Sequence, residues 1–243
     1  MLDSPMFGLD LKCGYCSWDD VGMNRKRLLQ NIVRSVGLLA VAHSFLACGA
    51  DRPLPKPAID AAKSAQGKQV AVFAGGCFWC TEAVFELIRG VDSVISGYAG
   101  GDKKSANYQA VGSGSTKHAE SIQITYDPSK VTYGELLMVF FGSAHDPTQL
   151  DRQGPDYGKQ YRSAIFYSND EQKRIAEAYI KQLEEAKIFP RKIVTQVGPL
   201  SEFFVAEGYH QDYVKNNPGN GYVIVNSIPK VKKTKALFPD LLK

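Results

Sequence analysis

Two thiols stand three residues apart in Gly75-Gly76-Cys77-Phe78-Trp79-Cys80, behind a pair of glycines and on either side of two large aromatics. The pattern places Cys77 in the first turn of a helix running to Arg89, with Cys80, Val84, Leu87 and Ile88 at helical spacing and Gly90 as the stop. Unpaired N–H groups and the positive end of the dipole stabilise a thiolate at such a position, which makes Cys77 the candidate nucleophile. On a helix, Cys80 shares its face with Cβ atoms about 5–6 Å away. A disulfide there needs local adjustment, since its Cα span must fall within ~4.4–6.8 Å. The plainer alternative is a pair of cysteines buried in a helix, although packing alone does not require Gly-Gly before a thiol.

Glu120 opens a stretch to Tyr126 in which Glu120, Ile122, Ile124 and Tyr126 share one face of a strand. A carboxyl in phase with three apolar side chains points to the core or to a pocket at the strand's end. Desolvation there raises its pKa and leaves it able to donate a proton near neutrality. The alternative is a carboxylate at the rim, solvated by water. Tyr108, Asp156 and Tyr161 fall in two long connections, Gly97 to Ala119 and Gly142 to Tyr161, rich in Gly, Asp, His and Tyr. Each alone is a weak signal, but loops of that length in a compact domain are usually functional.

The elements that must position these residues are legible from periodicity. Val70 to Phe73 is a short apolar strand ended by Gly75-Gly76, and Val91 to Tyr98 and Glu120 to Tyr126 are two more. Thr132-Tyr-Gly-Glu135 is a capping box opening the apolar helix Leu136 to Phe141. Arg162 to Tyr167 reads as a strand, and Ser168-Asn-Asp-Glu171 caps a long helix with Ile175, Tyr179 and Leu183 on one stripe. The order βαββαβ predicts an α+β fold, a ferredoxin-like two-layer sandwich with a split βαβ arrangement. Ile193 to Val197 adds a strand, and the remainder reads as loop with short helical pieces.

The chain has 243 residues, 44% hydrophobic, 22% charged and 11% aromatic, which excludes disorder and a collagen-like chain. Twenty-nine Lys+Arg against 25 Asp+Glu leave only +4, too weak for nucleic acid to be the default partner. Met23 is followed by three cations in Asn-Arg-Lys-Arg, and Val36 to Ala47 is largely apolar. This is the layout of a secretory signal, and at twelve residues too short for a membrane-spanning helix of roughly 20. Its end, Phe45-Leu46-Ala47-Cys48, resembles a bacterial lipoprotein signal, which places synthesis from Met23, lipidation at Cys48 and the protein in a bacterial cell envelope. An uncleaved N-terminal helix is the alternative. Residues 1–47 are then upstream sequence and signal, 48–68 with Pro53, Pro55 and Pro57 a tether, and 69–243 the catalytic domain. Cys13-Gly-Tyr-Cys16 could be half a zinc site, but no second CxxC follows at suitable spacing. His118, His145 and His210 likewise lack metal-ligand spacing, so no metal is expected.

Taken together, Gly76-Cys-Phe-Trp-Cys-Thr-Glu82, Gly97-Tyr-Ala-Gly-Gly101, Asn107-Tyr108, His118-Ala-Glu120, His145-Asp-Pro-Thr148, Gln153-Gly-Pro-Asp156 and Gln160-Tyr-Arg-Ser163 resemble the A-type peptide methionine sulfoxide reductases, from Phe73 to about Tyr222. The resemblance implies reduction of the S epimer of methionine sulfoxide, free or in proteins, with a thioredoxin-like donor and no cofactor. Position by position it makes Cys77 the nucleophile, Glu120 the acid, Tyr108 and Tyr161 hydrogen-bond donors, Asp156 a support, and Phe78 with Trp79 the wall of a methyl pocket. A thiolate attacking sulfoxide sulfur must expel oxygen, a poor leaving group unless protonated, so an acid and O–H donors have to converge on it.

The chain departs from the commoner family pattern after Gly221-Tyr222, where Val223 follows and no cysteine occurs beyond Cys80. With Cys48 lipidated and the upstream cysteines gone, Cys80 is the thiol left to resolve a Cys77 sulfenic acid. The alternative is direct attack by the reductant, with Cys80 a packing residue. Lys230, Lys232, Lys233 and Lys235 read as a solvated basic face. Two other functions are compatible with the same residues: a general CxxC thiol–disulfide oxidoreductase, and a lipid-anchored binding module with a structural CxxC. For the reductase a monomer is expected, meeting the membrane only through its anchor.

Overall fold

The computed structural model describes residues 54–63 and 67–243. The expected signal, the Met23 start, Cys13, Cys16 and Cys48 lie outside them. Among the described residues the chain forms β1 (Gln69–Gly75), α1 (Phe78–Phe85), β2 (Val91–Ala99), α2 (Tyr108–Gly112), β3 (Ala119–Tyr126), α3 (Tyr133–Val139), the short pair β4 (Arg152–Gln153) and β5 (Asp156–Tyr157), β6 (Ser163–Tyr167), α4 (Asp170–Glu185), β7 (Gln196–Pro199), β8 (Phe203–Val205), α5 (Tyr213–Asn216) and α6 (Ile228–Leu237). The fold is α+β.

Six of the strands make one sheet in the order β7-β6-β1-β3-β2-β8, antiparallel except for the β6–β7 pair. Alternation along β1 sends Ala71 and Phe73 to one face and Val72 and Ala74 to the other. The first face carries the main core: Phe73, Ile122 and Ile124 pack with Val84 and Phe85 of α1, Leu136 and Leu137 of α3, and Ile175, Tyr179 and Leu183 of α4. The opposite face is lined by smaller residues, Ala74, Ala99, Ala119 and Ala164 among them, and Leu200 and Phe203 pack against it. The Thr132–Glu135 capping box is fully formed, with both reciprocal bonds present.

Several expectations are corrected. The strand read at Ile193 to Val197 starts three residues later, because Ile193 is apolar to fill the core and Val194 N–H is spent on Pro147 O. Strand β8 and the ten-residue α6 arise in sequence read as mostly loop; both are held by tertiary contact rather than by strong local periodicity. Helix α1 ends at Phe85 rather than Arg89, and Ile88 instead bridges Leu242. The expected tether is extended but docked between residues 54 and 63. Pro55 O accepts from the Tyr179 hydroxyl at 2.9 Å, Lys56 O from Gln182 Nε2 at 2.8 Å, and the Asp60 carboxylate from Thr132 and from Gly134 N–H. Its carbonyls at Pro55 and Lys56 accept from α4, and its Asp60 carboxylate accepts from the start of α3.

Candidate active site

The turn from β1 into α1 sets the nucleophile. Gly76 takes φ +86°, and a Cβ there would come within 2.5 Å of the Gln153 side chain. Gln153 is in turn fixed on the Asp146 backbone, accepting from its N–H and donating to its carbonyl at 3.1 Å each. Gly76→Ala is therefore expected to cost about 2–4 kcal/mol, from left-handed strain plus the clash. A chemical denaturation curve checks it; a loss under 0.5 kcal/mol would show that the turn is not this constrained.

Cys77 is the N-cap of α1, one position before the expected first turn, and its side chain makes no capping hydrogen bond. The N–H that follows, on Phe78, is given to Glu120 Oε2 at 3.1 Å. The helix end thus serves the carboxyl rather than the thiol. Cys77 is 6% exposed, and burial pushes its pKa well up, so the resting group is a thiol and not the helix-stabilised thiolate that its spacing suggests. Cys80 moves the opposite way: the Cys77 side chain bonded to it favours its anion, helped by Lys230 and Ser227 against the cost of burial.

Glu120, the second residue of β3, lies opposite Tyr98 and is 2% exposed. Burial raises its pKa to about 8, opposed by the Phe78 N–H and reinforced by the negative fields of Asp156 and Cys80. At neutral pH it is a carboxylic acid with a proton to give. Tyr108 and Tyr161 come from α2 and from a 3-10 turn over Lys159–Tyr161. Desolvation first, partial for Tyr108 at 36% exposed and greater for Tyr161, then the negative fields of Glu120 and Cys77, hold both phenols above their usual range, so both remain O–H donors. Tyr108 is placed by Glu207, whose Oε1 accepts its N–H at 2.9 Å while Oε2 accepts from the Tyr98 hydroxyl at 2.8 Å. Asp156, on β5, accepts a short hydrogen bond from the Tyr222 hydroxyl, and burial raises its carboxyl.

The two aromatics after Cys77 part ways. Phe78 is buried, its ring 5.9 Å from Tyr98 and 5.0 Å from His210. Trp79 is half-buried, stacks on Tyr213 at 3.7 Å and 9°, meets Tyr222 edge-on, and donates from Nε1 to His210 Nδ1 at 3.0 Å. That bond leaves the proton of neutral His210 on Nε2. The three histidines have separate duties. His118 bonds Asp102 O, and His145, driven by burial to about 3, stays neutral between Phe140 O and Ser163 Oγ. Among the described residues no group of three or more His, Cys, Asp or Glu is arranged to hold a metal.

The family model for peptide methionine sulfoxide reductase matches residues 69–241, most of the chain. The chain belongs to the peptide methionine sulfoxide reductase family. It is 50% identical to peptide methionine sulfoxide reductase MsrA 2 of Synechocystis sp. over 86% of this chain and 99% of that one. Among solved structures it is similar to methionine sulfoxide reductase A of Corynebacterium diphtheriae, with 34% identity, a TM-score of 0.55 and coverage of 70% and 84% of the two chains. It is also similar to reduced Mxr1 of Saccharomyces cerevisiae, with 32% identity, a TM-score of 0.57 and coverage of 66% and 91%.

This family member carries part of its site where the sequence reads as loop. Glu207, His210, Tyr213 and Tyr222 all reach the Cys77 neighbourhood from the C-terminal forty residues. The signal available was the density of Tyr, His and acids between Phe203 and Tyr222, which has no periodic reason to exist.

Proposed function

We propose that this peptide methionine sulfoxide reductase reduces methionine S-sulfoxide, free or in proteins, through Cys77. The observation that carries the reading is a protonated Glu120 beside a buried Cys77, with the Tyr108 and Tyr161 hydroxyls in the field of both. Cys77 Sγ attacks the sulfoxide sulfur, Glu120 protonates the oxygen, and the Cys77 proton replaces the one that Glu120 gives. The sum is sulfoxide plus thiol to sulfide plus sulfenic acid, with atoms and electrons balanced. Tyr108 and Tyr161 hold the oxygen while charge develops on it. Phe78 and Trp79 wall the methyl pocket, and Asp156 supports the site by holding Tyr222. Cys80 then closes on the sulfenic acid, and a thioredoxin-like protein reduces the disulfide.

With a thioredoxin system as donor, the resolved S-sulfoxide is expected to be consumed and the R-sulfoxide left. Equal turnover of both epimers, or rapid disulfide exchange with no sulfoxide reduction, overturns the reading in favour of a general CxxC oxidoreductase. The core strands β6-β1-β3-β2, with α1 and α3 as crossovers, support a ferredoxin-like description of the fold. The protein is further proposed to be a monomeric lipoprotein of a bacterial cell envelope, started at Met23 and lipidated at Cys48; the cation cluster and apolar run support this. Intact mass of membrane-extracted protein checks it: a lipid-modified chain beginning at Cys48 is expected, and an unmodified chain beginning at Met1 refutes it.

A further inference from the structure

Gly221 to Leu237 is one continuous helical run in which Val223–Ser227 is a five-residue π turn leading into α6. Such a bulge changes the helical phase and re-aims the side chains on either side of it. The inward stripe that results is unusually polar: Val223, Ser227 and Thr234 are fully buried and Lys230 half-buried, whereas Lys232 and Lys235 are exposed. Lys230 therefore does not belong to the solvated basic face that the lysine cluster suggests. Thr234 Oγ1 bridges Ser143 Oγ and Lys230 O at 2.8 Å each, tying the helix to the chain beyond α3. Ser227 has a different partner: its Oγ lies 3.1 Å from Cys80 Sγ, both atoms in the interior.

We propose that Ser227, with Lys230 one turn behind it, is a positioning residue for the second half of the reaction, holding Cys80 as the thiolate aimed at the Cys77 sulfenic acid. This rests on the reading that Cys80 is the resolving thiol. The Cys80 anion attacks Cys77 Sγ, the S–S bond forms as the S–OH bond breaks, and hydroxide leaves with a proton from the site as water. The proton lost from Cys80 balances the one taken up, so no further oxidant or reductant is needed. A buried thiolate without partners would be too costly to populate; a hydroxyl donor and an ammonium group are what make it tolerable. The Cys80 anion is favoured first by the Cys77 side chain and then by Lys230 and Ser227 on the C-terminal helix, against burial and Asp156 on β5, and its charge is felt in turn by Glu120 and Tyr222. The helix thus contributes a hydroxyl and a cation to a thiol on α1, in a chain that has no cysteine of its own beyond Cys80.

Single-turnover experiments with one equivalent of S-sulfoxide and no reductant separate the two halves. In Ser227→Ala the methionine burst should match the parent, while closure of the Cys77–Cys80 disulfide slows about tenfold near pH 6.5 and a dimedone-trappable sulfenic acid accumulates. The acid limb of the closure rate should move to higher pH in Ser227→Ala and in Lys230→Met, and return in Ser227→Thr. A purely structural serine would not move that limb. Closure at the parent rate and with the parent pH profile in both variants overturns the proposal while leaving Cys80 as resolver. If the parent itself forms no bridge and Cys80→Ser turns over with thioredoxin as fast as the parent, the resolving role fails, and the proposal fails with it.

Discussion

Cys77→Ser is expected to form no methionine at all in a single turnover, with the rate down by roughly 10⁴ or more and the fold unchanged. A serine hydroxyl fits the same N-cap position and leaves the Phe78 N–H on Glu120, so the acid, the phenols and the aromatic pair stay in place. What disappears is a nucleophile able to take the oxygen onto itself as a sulfenic acid. Measuring product without reductant keeps the result independent of recycling by Cys80 or a donor protein. A stoichiometric burst of methionine from Cys77→Ser would mean that another group attacks the sulfoxide.

The second large effect is at Glu120. The amide of Glu120→Gln still accepts the Phe78 N–H, so shape and helix end are preserved while the transferable proton is lost, and the rate of the reduction step should fall about 10²- to 10⁴-fold. In the parent, Glu120 is raised to about 8 chiefly by burial. Its acid form prevails below that pH, and the single-turnover rate should decline as pH rises through it. The variant should lack this limb. Stability follows with a definite sign: the folded protein holds a proton on Glu120 between its ordinary carboxyl pKa and about 8, where the unfolded chain has lost it. Raising pH across that window therefore destabilises the parent. Glu120→Gln should melt higher than the parent at pH 7 and lose less stability than the parent as pH rises through the same window, the contribution of Glu82 remaining. Parent-like rates between pH 6 and 8, or a lower melting point at pH 7, would sink the assignment of Glu120 as the acid.

Such a stability gain from losing a reactive group is the mark of a site arranged against folding. A carboxyl that must keep its proton at neutral pH has to be dry, and dryness is unfavourable to any group that ionises when unfolded. The same dryness raises Cys77. Spacing alone argues for a thiolate there, because local sequence reports the helix end but not the carboxyl that takes its N–H. Glu120 lies 42 residues away along the chain and meets that N–H only once β3 is paired in register with β1 and β2.

Local sequence by itself determined the periodic elements. The alternation of Glu120, Ile122, Ile124 and Tyr126 sets a strand, Thr132 and Glu135 set a helix start, and the stripe Ile175, Tyr179, Leu183 sets a buried face, because each is a repeat of a single element's geometry. It also marked Cys77 and Glu120 as chemically unusual, since neither is where packing alone would put such a group. Only the tertiary structure decided the rest. Strand β8 exists because Phe203 to Val205 finds the free edge of β2, and residues 54–63 dock because α4 and the start of α3 offer them donors. Tyr222 and Ser227 reach the thiols from either end of a π turn that sets the phase of the C-terminal helix. None of these has a local signature. Each is a long-range contact in which the free energy comes from the partner, and the identity of the partner is a property of the folded chain.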